Sequence, residues 1–350
     1  MTNPSAPIRL PAEWEPQDAI LLAWPHPGTD WAPLLSAAEE VYCRTIAAIT
    51  KAGQRVVLIA CDPVHVRAVL ERERISLQEI ALYPLCCDDT WTRDFGPMTV
   101  YGAHGPELLD FVFNGWGNKF SAERDNVATA RLAALGAFGS TPVRTLPLIL
   151  EGGSIESDGC GTLLTTSQCL LTPTRNPHLS KSELETTLLE QFGAQRILWL
   201  DHGHLQGDDT DAHIDTLARF APNDTIVYQG CDDATDEHYQ PLQKMARELG
   251  QFRTGDDRPY RLFELPLPQA QYDDEGQRLP ATYANFLVIN RAVLVPTYAD
   301  PADSVAQTII GRAFPERTII GIDCRTLIQQ HGSLHCITMQ IPRGVVPCAR

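Results

Sequence analysis

The sequence predicts an α/β fold. Short apolar runs of strand length alternate with helical stretches from one end of the chain to the other, and that alternation is the mark of the α/β class. A second observation is that the 24 glycines and 26 prolines are scattered and not gathered into a linker. A third is that no low-complexity segment and no exact repeat interrupts the pattern. Residues 55–60 (RVVLIA) read as a buried strand. Residues 63–74 read as a helix and 80–84 as the next strand. Residues 162–165 are strand-like. Residues 180–192 begin with Ser180, carry Glu183 three residues on and keep helical spacing, which predicts a capped helix. Residues 196–201, 225–230, 286–290 and 292–296 are further strands. Residues 302–314 form a helix that stops before Pro315, and 318–323 form another strand. The most polar stretch, 254–278, reads as a surface loop.

With 350 residues, a prior of about 150 per domain allows two domains or one large one. Hydrophobic residues make up 43 %, enough for a sizeable core. Lys+Arg is 28 against Asp+Glu 44, a formal charge of −16. A chain this acidic is not expected to grip a nucleic-acid backbone, which needs a basic face; it is compatible with a cationic ligand. The longest apolar runs, such as 19–25, fall short of the roughly 20 residues that span a bilayer. Residues 1–11 lack a basic region followed by an apolar stretch, so no signal peptide is expected. The ten cysteines include no CxxC pair and no zinc-site spacing. A reducing cytoplasmic setting, with most of them as small buried hydrophobes, is the expectation.

Four segments place polar residues in turns at strand ends: 87–97 (CDDTWTRDFGP), 150–154 (LEGGS), 207–215 (GDDTDAHID) and 331–338 (HGSLHCIT). Each alone is ordinary, because Asp and Gly favour turns and a lone Cys such as Cys336 is usually packing. Together they hold a Cys after a turn, a His with an Asp two residues on, a Glu beside two glycines and an Asp in an Arg-Asp-Phe-Gly turn. A Cys nucleophile, a His acid/base and several carboxylates suit attack on a cationic carbon. On an extended segment, His213 and Asp215 would point to one face. Arg93 is the only Lys or Arg in the four segments, and internal pairing with a carboxylate is its expected role. Asp88, Asp89, Asp208 and Asp209 are assigned to turns, with Asp88 the exception expected to reach substrate.

The ordered set of motifs resembles the agmatine deiminase family, kin of the bacterial peptidylarginine deiminases, within the guanidine-modifying superfamily of pentein fold. It runs from PAEWEP (11–16) and LAWPH (22–26) through 88–97, NGWG (114–117), LEGGSI (150–155), 209–215, YANF (283–286) and PTY (296–298) to LHCIT (334–338). The resemblance implies one catalytic domain over residues 1–350, a pseudo-fivefold α/β propeller of ββαβ units with the site in a central channel. It implies hydrolysis of agmatine to N-carbamoylputrescine and ammonia, a step of putrescine and polyamine biosynthesis. Asp94 and Asp215 would bind the guanidinium, Glu151 and His213 would form an acid/base pair with Glu151 hydrogen-bonded to His213, and Cys336 would be the nucleophile. It implies no metal and no organic cofactor. Trp91 and Trp116 are candidates for lining the alkyl chain, with core packing as the alternative. The partner is a small cationic guanidine; a homodimer is left open. Arginine or peptidylarginine deimination and amidino transfer are the alternatives. One departure is Gln330-His331-Gly332, where relatives carry three glycines.

Overall fold

The computed structural model describes residues 8–347, so most of the segment read for a signal peptide, and Cys348, lie outside the described residues. β1 (Gln17–Ala23), β2 (Arg55–Ala60) and β3 (Ile80–Pro84) run parallel, joined by helices Leu35–Lys51 and Pro63–Arg72. β4 (Met98–Gly102) and β5 (Gly105–Val112) form a hairpin, and helix Ala128–Ala134 returns the chain to β6 (Val143–Ile149), parallel to β5. β7 (Glu156–Ser157), β8 (Thr162–Thr166) and β9 (Arg196–Leu200) repeat this around helix Lys181–Phe192. β10 (Ala218–Ala221), β11 (Thr225–Gln229) and β12 (Arg261–Leu265) do so around helix Tyr239–Gln251. β13 (Leu287–Val288), β14 (Ala292–Thr297) and β15 (Thr318–Asp323) do so around helix Asp303–Ala313. Finally β16 (Met339–Pro342) pairs antiparallel with β1, completing the first sheet as β16-β1-β2-β3. Five small sheets thus share one plan, a strand, an antiparallel neighbour, a crossover helix and a parallel third strand, to which the first sheet adds β3 as a fourth.

Most expected elements stand within a residue or two of their predicted bounds, but the stretch 254–278, expected as a surface loop, carries β12, which pairs with the buried β11. Ser180 and Glu183 make the reciprocal capping box that the sequence predicts. The span 286–290 yields only the two residues of β13. Helix Leu35–Lys51 has no side-chain cap, so no start signal marks it, although Ala38, Val41, Tyr42, Ile46 and Ile49 line one buried stripe. The middle strands of the sheets are buried along nearly their whole length, as in β2 and β11. Continuous apolar runs identify such strands; edge strands such as β3, with its half-exposed pattern, lean on their neighbours.

The cysteine expectation needs one correction. Cys61 and Cys86 form a disulfide, joining the residue after β2 to the loop after β3. These two positions lie 25 apart in sequence, and only the parallel pairing of β2 with β3 brings them together. Cys43, Cys87, Cys169, Cys231 and Cys324 are free and buried, and Cys160 is exposed.

Candidate active site

All four motif segments converge. A single helical turn, Thr92–Phe95, carries Asp94. It is stitched to the Cys336 segment by Arg93 N donating to the Cys336 carbonyl at 3.1 Å and by Thr92 Oγ1 donating to the Ile337 carbonyl at 2.9 Å. After β6, Glu151 precedes the tight turn Gly152–Ser154. A Cβ on Gly153 would lie 2.7 Å from His213 Nδ1 and 2.8 Å from Asp94 Oδ1, so only glycine lets these groups close on one another. In the third segment Asp208 accepts from Thr210 N at 3.0 Å and Ala212 N at 2.6 Å. Asp211 and Ala212 both adopt φ near 67°. This corrects the extended-segment expectation: the chain kinks before His213, and Asp215 sits in a 3₁₀ turn, Ile214–Thr216. Both side chains still reach the site, through that kink and not through strand alternation. In the fourth segment His331 takes φ 63°, a left-handed conformation that the missing glycine would hold more easily. Its Nδ1 lies 2.8 Å from the Gly207 carbonyl. Gly332 is indispensable, because a Cβ there would fall 2.1 Å from the Trp91 ring.

Asp94, Glu151, His213, Asp215 and Cys336 are all buried. Asp94 accepts from Gly153 N and from Trp116 Nε1, each at 3.0 Å. His213 Nδ1 lies 3.6 Å from Asp94 Oδ1. Asp215 Oδ2 lies 2.7 Å from His335 Nδ1 and 3.8 Å from Cys336 Sγ. Two atoms of the set, His213 Nε2 and Asp215 Oδ1, are buried without a hydrogen-bond partner. Buried polar atoms are nearly always paired, so such orphans mark where a ligand completes the set.

Burial shapes the charges. Desolvation, then the neighbouring Asp215, pushes the Asp94 carboxyl well above the usual range, although Trp116 and Gly153 both donate to it. Burial also opposes ionisation of Asp215, but the His335 hydrogen bond, with further help from the Arg219 charge, outweighs it and holds this carboxyl low. Burial lowers His213 to about 3. Burial, reinforced by Asp215 and Asp94, raises the Cys336 thiol well above the usual thiol range. Asp215 is therefore the more readily ionised of the two aspartates, beside a neutral imidazole and a neutral thiol.

Above this floor opens a cavity of about 140 Å³ lined by Trp91, Asp94, Trp116, Phe120 and Cys336, with Asp30, Asp89, Asp208 and Asp209 among its walls. Trp91 and Trp116 thus line the cavity as expected, and both are also buried. The expectation for Asp88 is corrected. Asp88 does not line the cavity; it accepts from Arg124 N at 2.7 Å and pairs with the Arg124 guanidinium. Its neighbour Asp89 and the two aspartates read as turn residues, Asp208 and Asp209, line the cavity. A one-residue step reverses the direction of a side chain, and composition cannot tell Asp88 from Asp89. Arg93 pairs internally with Glu13 at 3.2 Å, as expected.

The expected hydrogen bond from Glu151 to His213 is absent. Glu151 instead accepts from Arg175 Nε at 3.1 Å, and Arg175 continues to Asp211 and to the Thr210 carbonyl. Arg175 thus ties the Glu151 turn to the His213 loop, and its charge offsets only part of the rise that burial imposes on the Glu151 carboxyl. Glu151, Cys169 and His213 still bring ligand-type atoms within 4.8 Å of one another, as do Glu13, Glu156 and His335. In each group an arginine already occupies a carboxylate: Arg175 on Glu151, Arg219 on Glu13 and Glu156. Sequence reasoning missed Arg175, Asn285 and His335. His335 adjoins Cys336 and Asn285 lies in YANF, but nothing local announces a role for either, because their partners are 50 or more positions away.

Fold and site together define a guanidine- or amidine-processing enzyme class: two carboxylates, a histidine and a cysteine at the base of an acidic, aromatic-walled cavity. Residues 9–342 match the Porphyromonas-type peptidyl-arginine deiminase family, and the chain belongs to that family. It is 33 % identical to a protein named "Putative agmatine deiminase" from Marinomonas sp. (strain MWYL1), with 96 % of this chain and 94 % of that one covered. Among solved structures, a substrate-bound agmatine deiminase of C. jejuni superposes with a TM-score of 0.90 at 38 % identity, covering 99 % of each chain. The putative arginine deiminase of Porphyromonas gingivalis superposes with a TM-score of 0.92 at 47 % identity, covering 97 % of this chain and all of the other. An amidinotransferase from Microseira wollei, 12 % identical with a TM-score of 0.52, shares the fold alone. The chain is thus a mixed α/β protein of the deiminase type, and relatives of that type are C–N hydrolases. Among the described residues no helix is long and apolar enough to cross a membrane.

Proposed function

We propose that the protein is an agmatine deiminase, a hydrolase of linear amidines that converts agmatine and water to N-carbamoylputrescine and ammonia on a putrescine-forming route. The observation that carries this reading is the pairing of an orphaned Asp215 oxygen with Asp94 beneath a cavity walled by Asp30, Asp89, Asp208 and Asp209 and, among the described residues, lined by no lysine or arginine. A guanidinium stays protonated to above pH ~12 and is a planar fork that carboxylates hold bidentately. Agmatine's second charge would meet the mouth aspartates. Arginine's α-carboxylate would meet them too, and the lysine beside this wall, Lys119, is already held by Asp211 and the Asp209 carbonyl, so burying that carboxylate there would cost several kcal/mol. The Porphyromonas gingivalis relative is named as an arginine deiminase, and this wall composition favours agmatine for the present chain. Arginine and peptidylarginine are therefore the comparison substrates.

The chemistry follows from the charges of the site residues. Thiol and imidazole share one transferable proton, which sits on sulfur. When the guanidinium docks on Asp94 and Asp215, its charge stabilises a thiolate beside the cationic carbon, and the Cys336 proton passes to His213. Sulfur attacks that carbon, and His213 returns the proton to the departing nitrogen, which leaves as ammonia. The result is an S-alkylthiouronium on Cys336. Neutral His213 then takes a proton from water as the oxygen bonds to the same carbon, collapse expels the thiolate, and the ureido product forms. His213 returns its proton to the Cys336 thiolate, and the proton that the ureido product sheds passes to solvent, where the ammonia released earlier takes it up as ammonium. Glu151 acts through Arg175, which fixes the His213 loop. Our reading places this chemistry at the centre of five sheet units arranged about a channel, in one catalytic domain of residues 1–350 in the cytoplasm, without metal or organic cofactor; a homodimer is compatible with it. Ammonia release from agmatine with no acceptor amine present tests hydrolysis against amidino transfer. Release from agmatine at least about a thousandfold better than from free or peptide arginine, as kcat/KM, tests the substrate.

A further inference from the structure

Two buried carboxylates side by side repel, and one of them must be favoured if the pair is to present a defined charge to an incoming cation. In this protein the asymmetry has a visible origin. Asp94 receives only neutral donors, Gly153 N and Trp116 Nε1. Asp215 receives the imidazole of His335 at 2.7 Å, and His335 is backed by a layer that touches no part of the cavity. His335 Nε2 lies 2.9 Å from Arg219 Nη2 and 2.8 Å from Glu13 Oε1. Arg219 is itself fixed by Glu13, Glu156 and the Phe286 carbonyl. The backbone of His335 is clamped as well, because its N–H donates to Asn285 Oδ1 at 2.8 Å.

We propose that His335 is a positioning residue for the clamp: it holds Asp215 by one oxygen so that the other, unpartnered oxygen is aimed at the guanidinium, and it turns the Arg219–Glu13–Glu156 layer into support for that carboxylate. The inference rests on the guanidine-processing reading of the site. The ionised Asp215 has no proton to give, so the 2.7 Å contact requires the proton on His335 Nδ1. Nε2 faces two partners, the Arg219 guanidinium at 2.9 Å and the Glu13 carboxylate at 2.8 Å. Burial and the charges of Arg219 and Arg93 lower His335, while Glu13 and the Asp215 bond oppose them; in either protonation state of Nε2, Nδ1 keeps its proton toward Asp215. The charged or titratable groups around Asp215 are His335, His213, Arg219, Asp94, Cys336 and Asp208. Those around His335 are Asp215, Arg219, Arg93 and Glu13, with Glu156 behind Arg219.

The test compares His335→Asn with His335→Gln, and both with His335→Ala. An Asn amide can place N–H where Nδ1 stands and keep the bond to Asp215; a Gln amide reaches instead toward Arg219 and Glu13. Two readouts are followed against pH: kcat/KM for ammonia release from agmatine, and the rate at which 2-chloroacetamidine alkylates Cys336. In the second, sulfur displaces chloride to form a thioether, and the clamp needs only to hold an amidinium. His335→Gln is expected to lower both by about a hundredfold, because a buried carboxylate loses its donor. The acid limb of each profile should move up by about one pH unit, since Asp215 then holds its proton to higher pH. His335→Asn is expected to recover most of the loss and to return the limb toward the parent's. Equal behaviour of the two amides, or a loss with the acid limb unmoved, would overturn the proposal. So would failure of both amides to fold, which would make His335 a packing residue. A parent that alkylates with the expected profile yet releases no ammonia from agmatine would overturn the substrate reading and leave this one standing.

Discussion

The side-chain amide of Asn285 lies 3.2 Å from Cys336 Sγ. The same nitrogen lies 3.3 Å from Asp215 Oδ2, while Oδ1 accepts from the backbone of His335 at 2.8 Å and of Cys336 at 3.3 Å. One buried amide thus fixes nucleophile and clamp relative to each other. Asn285→Ala is expected to lower kcat by about a hundredfold with a smaller change in KM, because orientation fails more than binding. Steady-state kinetics check the split; a pure KM effect would remove Asn285 from this role.

Asp94→Asn and Asp215→Asn keep shape and remove charge. Each is expected to lower kcat/KM by several orders of magnitude, about a thousandfold or more, since neutralisation and bidentate holding are both lost. By contrast Asp88→Asn, whose partner is Arg124 and not the cavity, is expected to stay within about tenfold of the parent. Parallel kinetics on the three variants check the assignment, and a sensitive Asp88 with an insensitive Asp94 would reverse it.

Acid stability has a signed expectation. His213 falls from 6.5 to about 3 on folding, by burial. The folded state therefore binds fewer protons than the unfolded state between those values, and stability is full above pH 6.5 and lost as pH falls toward 3. The contribution is on the order of several kcal/mol. His213→Gln abolishes this term, so its Tm is expected to vary less than the parent's across that window. Calorimetric scans at stepped pH check it; identical slopes for the two proteins would contradict the buried-neutral assignment.

The Cys61–Cys86 disulfide closes a loop of 25 positions, worth about 3 kcal/mol in the chain-entropy account. Reduction with dithiothreitol is expected to lower Tm by roughly 4 °C in a chain of this size. Cys61→Ala should show the same Tm and no further response to reductant. An unreduced and a reduced sample melting together would show that the bond contributes nothing.

Local patterns made the sheets' middle strands legible: RVVLIA needs no partner to be recognised, and Ser180 with Glu183 announces its helix. The motif segments were legible too, as an ordered set. What escaped was whatever depends on a distant partner. Arg175 finds Glu151 across 24 positions, His335 finds Asp215 across 120, and Cys61 finds Cys86 only because β2 and β3 align. The choice of Asp88 over Asp89 failed on a different ground, since the direction of a side chain in a turn is set by backbone angles that adjacent identical residues do not reveal.

The central claim is covalent turnover of agmatine at Cys336, and intact-protein mass spectrometry on enzyme quenched during turnover tests it most directly. The parent mixed with agmatine is expected to show a substrate-derived adduct mapping to Cys336 and to release ammonia stoichiometric with ureido product, while Cys336→Ser, folded as the parent is, shows neither. Substantial turnover by Cys336→Ser, or an adduct on another cysteine such as Cys169, would contradict the account.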